Sequence, residues 1–316
     1  MNRALCYRRL DTEFARLLLS GQDRVRFLHG MVTCDVKGLS EGSGAYGTLL
    51  TVKGKVISDL VVSQRGAAGL LLTVRAQAAA KVCESLERYI IVDDAVITNE
   101  SAALVQLGVY GAAARAVVLG ESGAELAPYH HIEREGVTVL LCEELGPGSL
   151  HVIGSAAAVA TIERQLIEAG ATLLSPEEAE ILRIEAGRPR FGVDFDEERL
   201  PQEAGLDDAL SFTKGCFLGQ EVVVRLRDRG QLNRKLVALT LSGEGVPPVH
   251  SKLSHASRPQ AGELTSIAVS PRCGTIALGY VHRTCWEPGT QLEVTDAEGH
   301  SLGCTATITE LPFPER

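Results

Sequence analysis

The chain has 316 residues, of which 45% are hydrophobic and 22% are charged, a composition typical of a folded, soluble protein. This length predicts two or three domains, and a net charge of −9 argues against sequence-independent binding of nucleic acid. The sequence lacks an apolar run of about 18 residues, so we expect no membrane span, and charged residues near its start predict a cytoplasmic location.

The first hundred residues predict a β-α-β-β-α-β series. Helices are expected over 23–30 and 76–89, and strands over 14–20, 46–52, 55–63, 70–74 and 90–97. Residues 104–169 repeat this order, with helices over 112–119 and 155–169 and strands over 104–111, 137–142 and 150–153. A strand that runs into an alanine-rich helix begins at Gly69 and again at Gly148. The repeat indicates two ferredoxin-like units, 1–100 and 101–235, and clefts between such units often bind ligands.

The remaining sequence changes character twice. Ser175-Pro176-Glu177-Glu178 is a strong helix start, and that helix is expected to end at Gly187 before an irregular acidic stretch over 192–208. A short helix is predicted over 221–228. Short β-rich runs then predict a small all-β barrel over 236–316, with residues 242–259 as a mobile connector; the runs are 236–241, 263–269, 275–282, 291–295 and 306–309.

The octet Lys214-Gly-Cys-Phe-Leu-Gly-Gln-Glu221 concentrates unusual chemistry in a short span. Two glycines bracket Cys216 and allow the backbone to bend tightly, while Lys214 and a following helix N-terminus would favour its thiolate. The alternative is a glycine turn around a small buried cysteine. The eight cysteines contain no C-x-x-C pair, and His130-His131 reads as a surface loop, so we expect no metal site.

The octet is similar to the signature K-G-C-[FY]-x-G-Q-E of the YgfZ family, within the folate-binding superfamily of the glycine cleavage T-protein, an aminomethyltransferase. Residues 19–35 resemble the opening helix and "TND" corner of T-proteins, with Cys34 where asparagine is usual. Residues 183–187 resemble the family's R-[IL]-E-A-G, and residues 264–281 resemble its C-terminal barrel. The resemblance covers nearly the whole chain and implies an α+β fold with two fused ferredoxin-like units and a C-terminal β-barrel.

Two carboxylates are candidates for holding the tetrahydrofolate, or another folate, that the resemblance implies. Strand alternation places Asp59 on an apolar face, where a carboxylate is costly unless it is paired or meets a ligand. Glu185 shares a helical stripe with apolar residues. The alternatives are backbone donors for Asp59 and a salt bridge from Glu185 to Arg183 or Arg188.

The other predicted site residues lie in and after the octet. Cys216 and Lys214 are the candidate catalytic pair, and Gln220, Glu221 and Arg227 are candidate folate contacts. Arg227 belongs to a basic run over 225–235 that could hold an anionic ligand tail, although a solvated basic face is the alternative.

The resemblance implies an accessory function in building or maintaining iron–sulfur proteins, including tRNA-modifying enzymes, with Cys216 as the working thiol. The expected partners are folate and iron–sulfur client proteins, without direct nucleic-acid or membrane contact. One rival function is aminomethyl transfer, but T-proteins carry two adjacent aspartates where this chain has Ser58-Asp59. The other rival is a folate-binding scaffold without catalysis.

Overall fold

The computed structural model describes residues 5–120 and 126–313, which form six α-helices and seventeen β-strands. The helices are α1 (Arg24–Met31), α2 (Ala79–Glu87), α3 (Ala114–Leu119), α4 (Ala156–Glu168), α5 (Pro176–Glu185) and α6 (Gln220–Arg229). The first eleven strands are β1 (Cys6–Arg9), β2 (Phe14–Ser20), β3 (Gly44–Leu50), β4 (Val56–Gln64), β5 (Leu70–Arg75), β6 (Val96–Asn99), β7 (Val105–Tyr110), β8 (His131–Arg134), β9 (Val137–Leu141), β10 (Leu150–Gly154) and β11 (Thr172–Leu173). The last six are β12 (Arg234–Gly243), β13 (Lys252–His255), β14 (Arg258–Ser270), β15 (Gly274–His282), β16 (Gln291–Thr295) and β17 (Ser301–Thr309).

The chain packs into two compact units. The first unit comprises Met1–Ser175 and Asp208–Glu221, and the second comprises Pro176–Asp207 and Val222–Arg316. The predicted three-domain division at residues 100 and 235 stays a prediction. None of the described helices has both the length and the apolar character that a membrane crossing requires.

The first unit contains two mainly antiparallel sheets, with strand orders β3-β4-β5-β2-β6 and β11-β1-β7-β10-β9-β8. Strand β1 pairs with β7, with Cys6 opposite Tyr110, so the beginning of the chain completes the sheet of the second repeat. Alternate residues of β7, β9 and β10, including Leu107, Val139 and Val152, form an apolar core with α3 and α4. Their opposite-facing neighbours are therefore directed toward the first sheet.

Residues 90–97 were expected to form one strand, and this prediction is wrong for most of the segment. Only Val96–Asn99 is a strand, and Ile91 and Val92 are 82% and 88% exposed. Asp94 instead links this segment to the start of α1, because its backbone carbonyl accepts from Asp23 N at 2.9 Å. The local contacts at a helix N-terminus outweigh the β propensity of the apolar residues.

The second unit is a closed barrel with strand order β12-β15-β14-β13-β16-β17, which confirms the predicted C-terminal barrel and the α+β class. Helix α5 packs against β14 and β15, where Ile184 joins a buried cluster with Ile276 and Leu278. Strand β13 lies inside residues 242–259, so the predicted mobile connector is wrong there. Leu253 is fully buried in the barrel, but its polar neighbours leave too short an apolar pattern to indicate a strand.

Candidate functional site

A polar layer lies between the two sheets of the first unit. Phe14 of β2 meets His151 of β10 with ring centroids 5.4 Å apart, and Arg75 of β5 lies 3.3 Å from Glu144 after β9. Val61 of β4 packs against Leu140 and Cys142 of the other sheet. Because strand residues alternate in direction, the side chains that share these inner faces include Asp59, Ser63, Thr73 and Gln106.

In this layer, the two carboxylate oxygens of Asp59 differ in their hydrogen bonding to the described residues. Oδ2 accepts a hydrogen bond from Tyr46 Oη at 3.0 Å, and the Tyr46 ring stacks on Tyr129 with centroids 5.5 Å apart. Oδ1 is buried and has no hydrogen-bond partner among the described residues. Burial raises the pKa of Asp59, although Arg75 and Tyr46 oppose this shift. The side chain could therefore hold a polar ligand as either an acceptor or a protonated donor.

A buried charge cluster lies beside Asp59. Glu144 contacts Arg75 at 3.3 Å, His151 Nε2 at 3.2 Å and Tyr110 Oη at 3.4 Å. Burial would raise the pKa of Glu144, but the hydrogen bond from His151 and the charge of Arg75 hold it well below its usual value. Burial would lower the pKa of His151, but Cys142 and Glu144 raise it to about 10. Both shifts favour the charged pair, with a carboxylate at Glu144 and a protonated ring at His151.

Several buried polar atoms in the layer have no hydrogen-bond partner among the residues that the structure describes. They are Asp59 Oδ1, Ser63 Oγ, Thr73 Oγ1 and Arg75 Nε. Leaving such a group unsatisfied costs about 1–3 kcal/mol, so concentrated unsatisfied groups indicate a place that water or a ligand completes. The stacked tyrosines and these donors and acceptors fit a ligand with a polar aromatic ring, as folate has.

The cysteine loop packs against the end of α1 and the β3–β4 turn. Leu218 N donates to Gly30 O at 3.0 Å, and the buried Phe217 anchors the loop. Gly219 has φ +79°, and a Cβ there would lie 2.4 Å from Thr51 O, so only glycine fits. Cys216 is exposed, whereas six of the other seven cysteines are buried and Cys83 is half-buried. The loop therefore presents one thiol to solvent from a fixed backbone.

Lys214 fixes this loop rather than standing free in it. Its Nζ donates to the carbonyl oxygens of His29, Val32 and Cys34 at 2.5, 2.6 and 2.8 Å, at the C-terminal end of α1. A cation is favourable at this end of a helix. Burial lowers the pKa of Lys214 to about 8. The three carbonyl acceptors show that the ammonium group holds the loop in place. That Lys214 also favours the Cys216 thiolate stays a prediction.

The other three predicted folate contacts after the cysteine lie on helix α6. Gln220 begins α6, and its Oε1 accepts from Phe217 N at 3.1 Å within the loop. Glu221 lies exposed in the first turn of α6. Arg227, on the same helix, forms an ion pair with Asp228, 2.6 Å from Nε to Oδ1. Their contacts with folate stay predictions.

Glu185 belongs to the second unit, whereas Asp59 belongs to the first. Its carboxylate accepts from Ser270 Oγ at 2.5 Å and from Arg272 Nη2 at 3.0 Å. Arg183, one of the salt-bridge partners considered for it, is instead buried and bonded to Asp194 at 2.6 Å. Both carboxylate oxygens of Glu185 therefore already have a hydrogen-bond partner. Its predicted contact with the pterin, together with Asp59, stays a prediction.

The expectation that His131 lies in a surface loop is wrong. It begins β8, where pairing with Leu140 directs its side chain inward, and it is 2% exposed. The sequence reasoning also missed Arg75, Gln106, Glu144 and His151. Gln106 and His151 are polar residues within otherwise apolar strands. The same signal identified Asp59, so it could also have identified these two residues.

Family models described as the GCVT N-terminal domain and the glycine cleavage T-protein C-terminal barrel domain match residues 11–140 and 234–314. A tRNA-modifying protein YgfZ from Serratia proteamaculans is 32% identical over 237 residues, covering 74% of this chain and 71% of that protein. This chain belongs to the glycine cleavage T-protein family.

Relatives in this T-protein family carry two different names. An aminomethyltransferase from Rubrobacter xylanophilus is 31% identical over 271 residues, covering 83% of this chain and 72% of that protein. The crystal structure of aminomethyltransferase T of the Bartonella henselae glycine cleavage system superposes with a TM-score of 0.89 at 20% identity, covering 99% of this chain and 87% of that one. The superposition confirms the predicted T-protein fold. The relatives that carry these two names are similarly close to this chain in sequence, so the choice between the two functions depends on the site.

Proposed function

We propose that this T-protein family member is a tetrahydrofolate-binding accessory protein of the YgfZ type. It supports assembly or repair of iron–sulfur proteins, including tRNA-modifying enzymes, through the Cys216 thiol. The observation that carries this proposal is the exposed Cys216 on a loop that Lys214 and Gly219 hold in place. A thiol is a nucleophile and a soft metal ligand once ionised, and both uses require access from solvent.

Tetrahydrofolate would occupy the polar layer of the first unit. Asp59 Oδ1 would accept a hydrogen bond from a ligand N–H, and the stacked tyrosines Tyr46 and Tyr129 would provide aromatic contact. The Glu144–His151 pair would keep charged groups fixed beside the ligand. When bound, the folate supplies one-carbon chemistry, and the protein supplies orientation and a site shielded from water.

The second candidate is aminomethyl transfer, which the similarity to the Rubrobacter xylanophilus enzyme favours. Ser58 argues against it, because it stands where the resemblance implies a second aspartate. Ser58 is fully buried and donates to the Asp59 carbonyl at 2.7 Å, so it offers no carboxylate to a substrate amine. A folate-binding scaffold without thiol chemistry is the third possibility.

A binding titration with tetrahydrofolate tests the folate part of the proposal. The wild type is expected to bind, and Asp59→Ala to bind about tenfold more weakly or worse, because a hydrogen bond to a charged or polar ligand is lost. Asp296→Asn, in an exposed turn of the other unit, is the matched control and should bind as the wild type does. Equal affinity in Asp59→Ala and wild type would remove Asp59 from the site.

An ammonia assay separates the two candidate activities. The protein is mixed with aminomethylated lipoyl carrier protein and tetrahydrofolate, and ammonia release is followed. We expect no turnover above the uncatalysed rate. Sustained turnover would favour the transferase function over the accessory one.

A further inference from the structure

The first unit has a cleft that the proposed function does not use. It has a volume of about 450 Å³ and is lined by Glu41, Gly42, Arg65, Ala68, His131 and Glu133. We call it the His131 cleft. Its volume lies within the range of about 300–1,000 Å³ that is common for small-molecule sites.

Backbone hydrogen bonds frame the His131 cleft. His131 N donates to Gly42 O at 2.8 Å, and Gly42 N donates to Gln64 O at 3.0 Å. These bonds tie edge strand β8 to the loop before β3 and to the end of β4. The cleft is thus built on strand ends and a pinned turn rather than on a free loop.

His131, which lines this cleft, carries a buried ring nitrogen. The residue is 2% exposed, and its Nδ1 has no hydrogen-bond partner among the described residues. Burial lowers the pKa of His131, with Arg65 and His130 adding to the effect and Glu133 and Glu41 opposing it. A buried nitrogen without a partner costs free energy, which a hydrogen-bonding ligand would recover.

The charged groups of the cleft leave a negative excess. Arg65 Nε donates to Glu133 at 3.0 Å, and Thr138 Oγ1 donates to the same carboxylate at 2.8 Å. Glu41 is a second carboxylate and lies over Gly66, where a Cβ would approach its Oε2 to 2.4 Å. Two carboxylates therefore face one guanidinium, and the excess favours a cation.

We infer that the His131 cleft binds a small organic cation with several N–H donors, such as an alkyl guanidinium or a diamine. Glu41 and Glu133 balance its charge, and His131 accepts a hydrogen bond from one of its N–H groups. An anion in the cleft would be repelled by the carboxylates of Glu41 and Glu133. The one guanidinium group that lines the cleft, that of Arg65, is already paired with Glu133. The ligand class thus follows from the charges and acceptors that line the cleft.

Agmatine, which carries a guanidinium and an ammonium group, is the probe, and its binding to the full chain is followed by calorimetry and ligand-observed NMR. The wild type is expected to bind agmatine, and Glu41→Gln to bind it roughly fivefold more weakly or worse, because a charge partner is lost. Glu41 is exposed, so this variant should fold normally. Pentanoate, an anion of similar length, should not bind.

Glu135→Gln is the matched control, since Glu135 is exposed and pairs with Arg134 outside the cleft lining. It should bind agmatine as the wild type does, and Glu41→Gln should bind tetrahydrofolate as the wild type does. No agmatine binding at millimolar concentration, equal binding by Glu41→Gln and wild type, or preferential binding of pentanoate would each overturn the inference.

Discussion

Replacing Lys214 with methionine tests how the cysteine loop is held. Methionine keeps most of the apolar stem but removes the donor to the carbonyls of His29, Val32 and Cys34. A hydrogen bond from a charged group contributes about 1.5–3 kcal/mol, and the three here share one ammonium whose burial is itself unfavourable. We therefore expect Lys214→Met to lower the free energy of unfolding by about 2–4 kcal/mol in all, rather than by the sum of three full bonds.

Urea unfolding at pH 7 measures this change, and native-state hydrogen exchange localises it. The Leu218 amide, which donates to Gly30 O, should lose protection in Lys214→Met because the loop is no longer fixed to α1. Lys37→Met is the control, since Lys37 is exposed and its loss should cost less than about 0.5 kcal/mol. If Lys214→Met and Lys37→Met unfold alike, the three carbonyl contacts do not hold the loop.

Three further predictions concern single side chains. Alkylation of the native protein at pH 7 should label Cys216 fastest of the eight cysteines, because it is exposed; faster labelling of Cys83 would contradict this. The pKa of His151, raised to about 10 in the fold from about 6.5 unfolded, contributes stability that is complete below about pH 6.5 and lost as pH rises through 10. His151→Gln should therefore be less stable than wild type at pH 6, with a gap that narrows toward pH 10 in thermal unfolding; a gap independent of pH would refute the charged pair. Glu185→Ala should lower stability by about 1–3 kcal/mol through loss of its bonds to Ser270 and Arg272 and should also weaken tetrahydrofolate binding; unchanged affinity in the folded variant would remove Glu185 from the predicted folate contacts.

The sequence predicted the elements whose patterns are strong and local. The strand at 14–20 and the helix that starts at Pro176 are confirmed because a short apolar run and helix-capping residues act within a few positions. The sequence also placed Asp59 on an apolar strand face, and in the structure the residue is half-buried with its Oδ1 fully buried. These inferences need no knowledge of which strand lies opposite.

Other features depend on contacts between distant parts of the chain. Arg75 and Glu144 pair only because the two sheets face one another, and no local pattern shows that. Lys214 was expected to act on Cys216, two residues away, but its partners are carbonyl oxygens near the end of α1, which sequence spacing cannot reveal. Strand β13 was missed because it closes a barrel with one buried leucine, Leu253.

Rescue of iron–sulfur enzyme activity in cells that lack their own YgfZ-type protein tests the central claim most directly. The wild-type chain should restore that activity, and Cys83→Ser should restore it equally, because Cys83 is half-buried on α2 and outside the proposed site. Cys216→Ser should accumulate as a folded protein and fail to restore activity. Full rescue by Cys216→Ser would contradict the proposal that the exposed thiol performs the function.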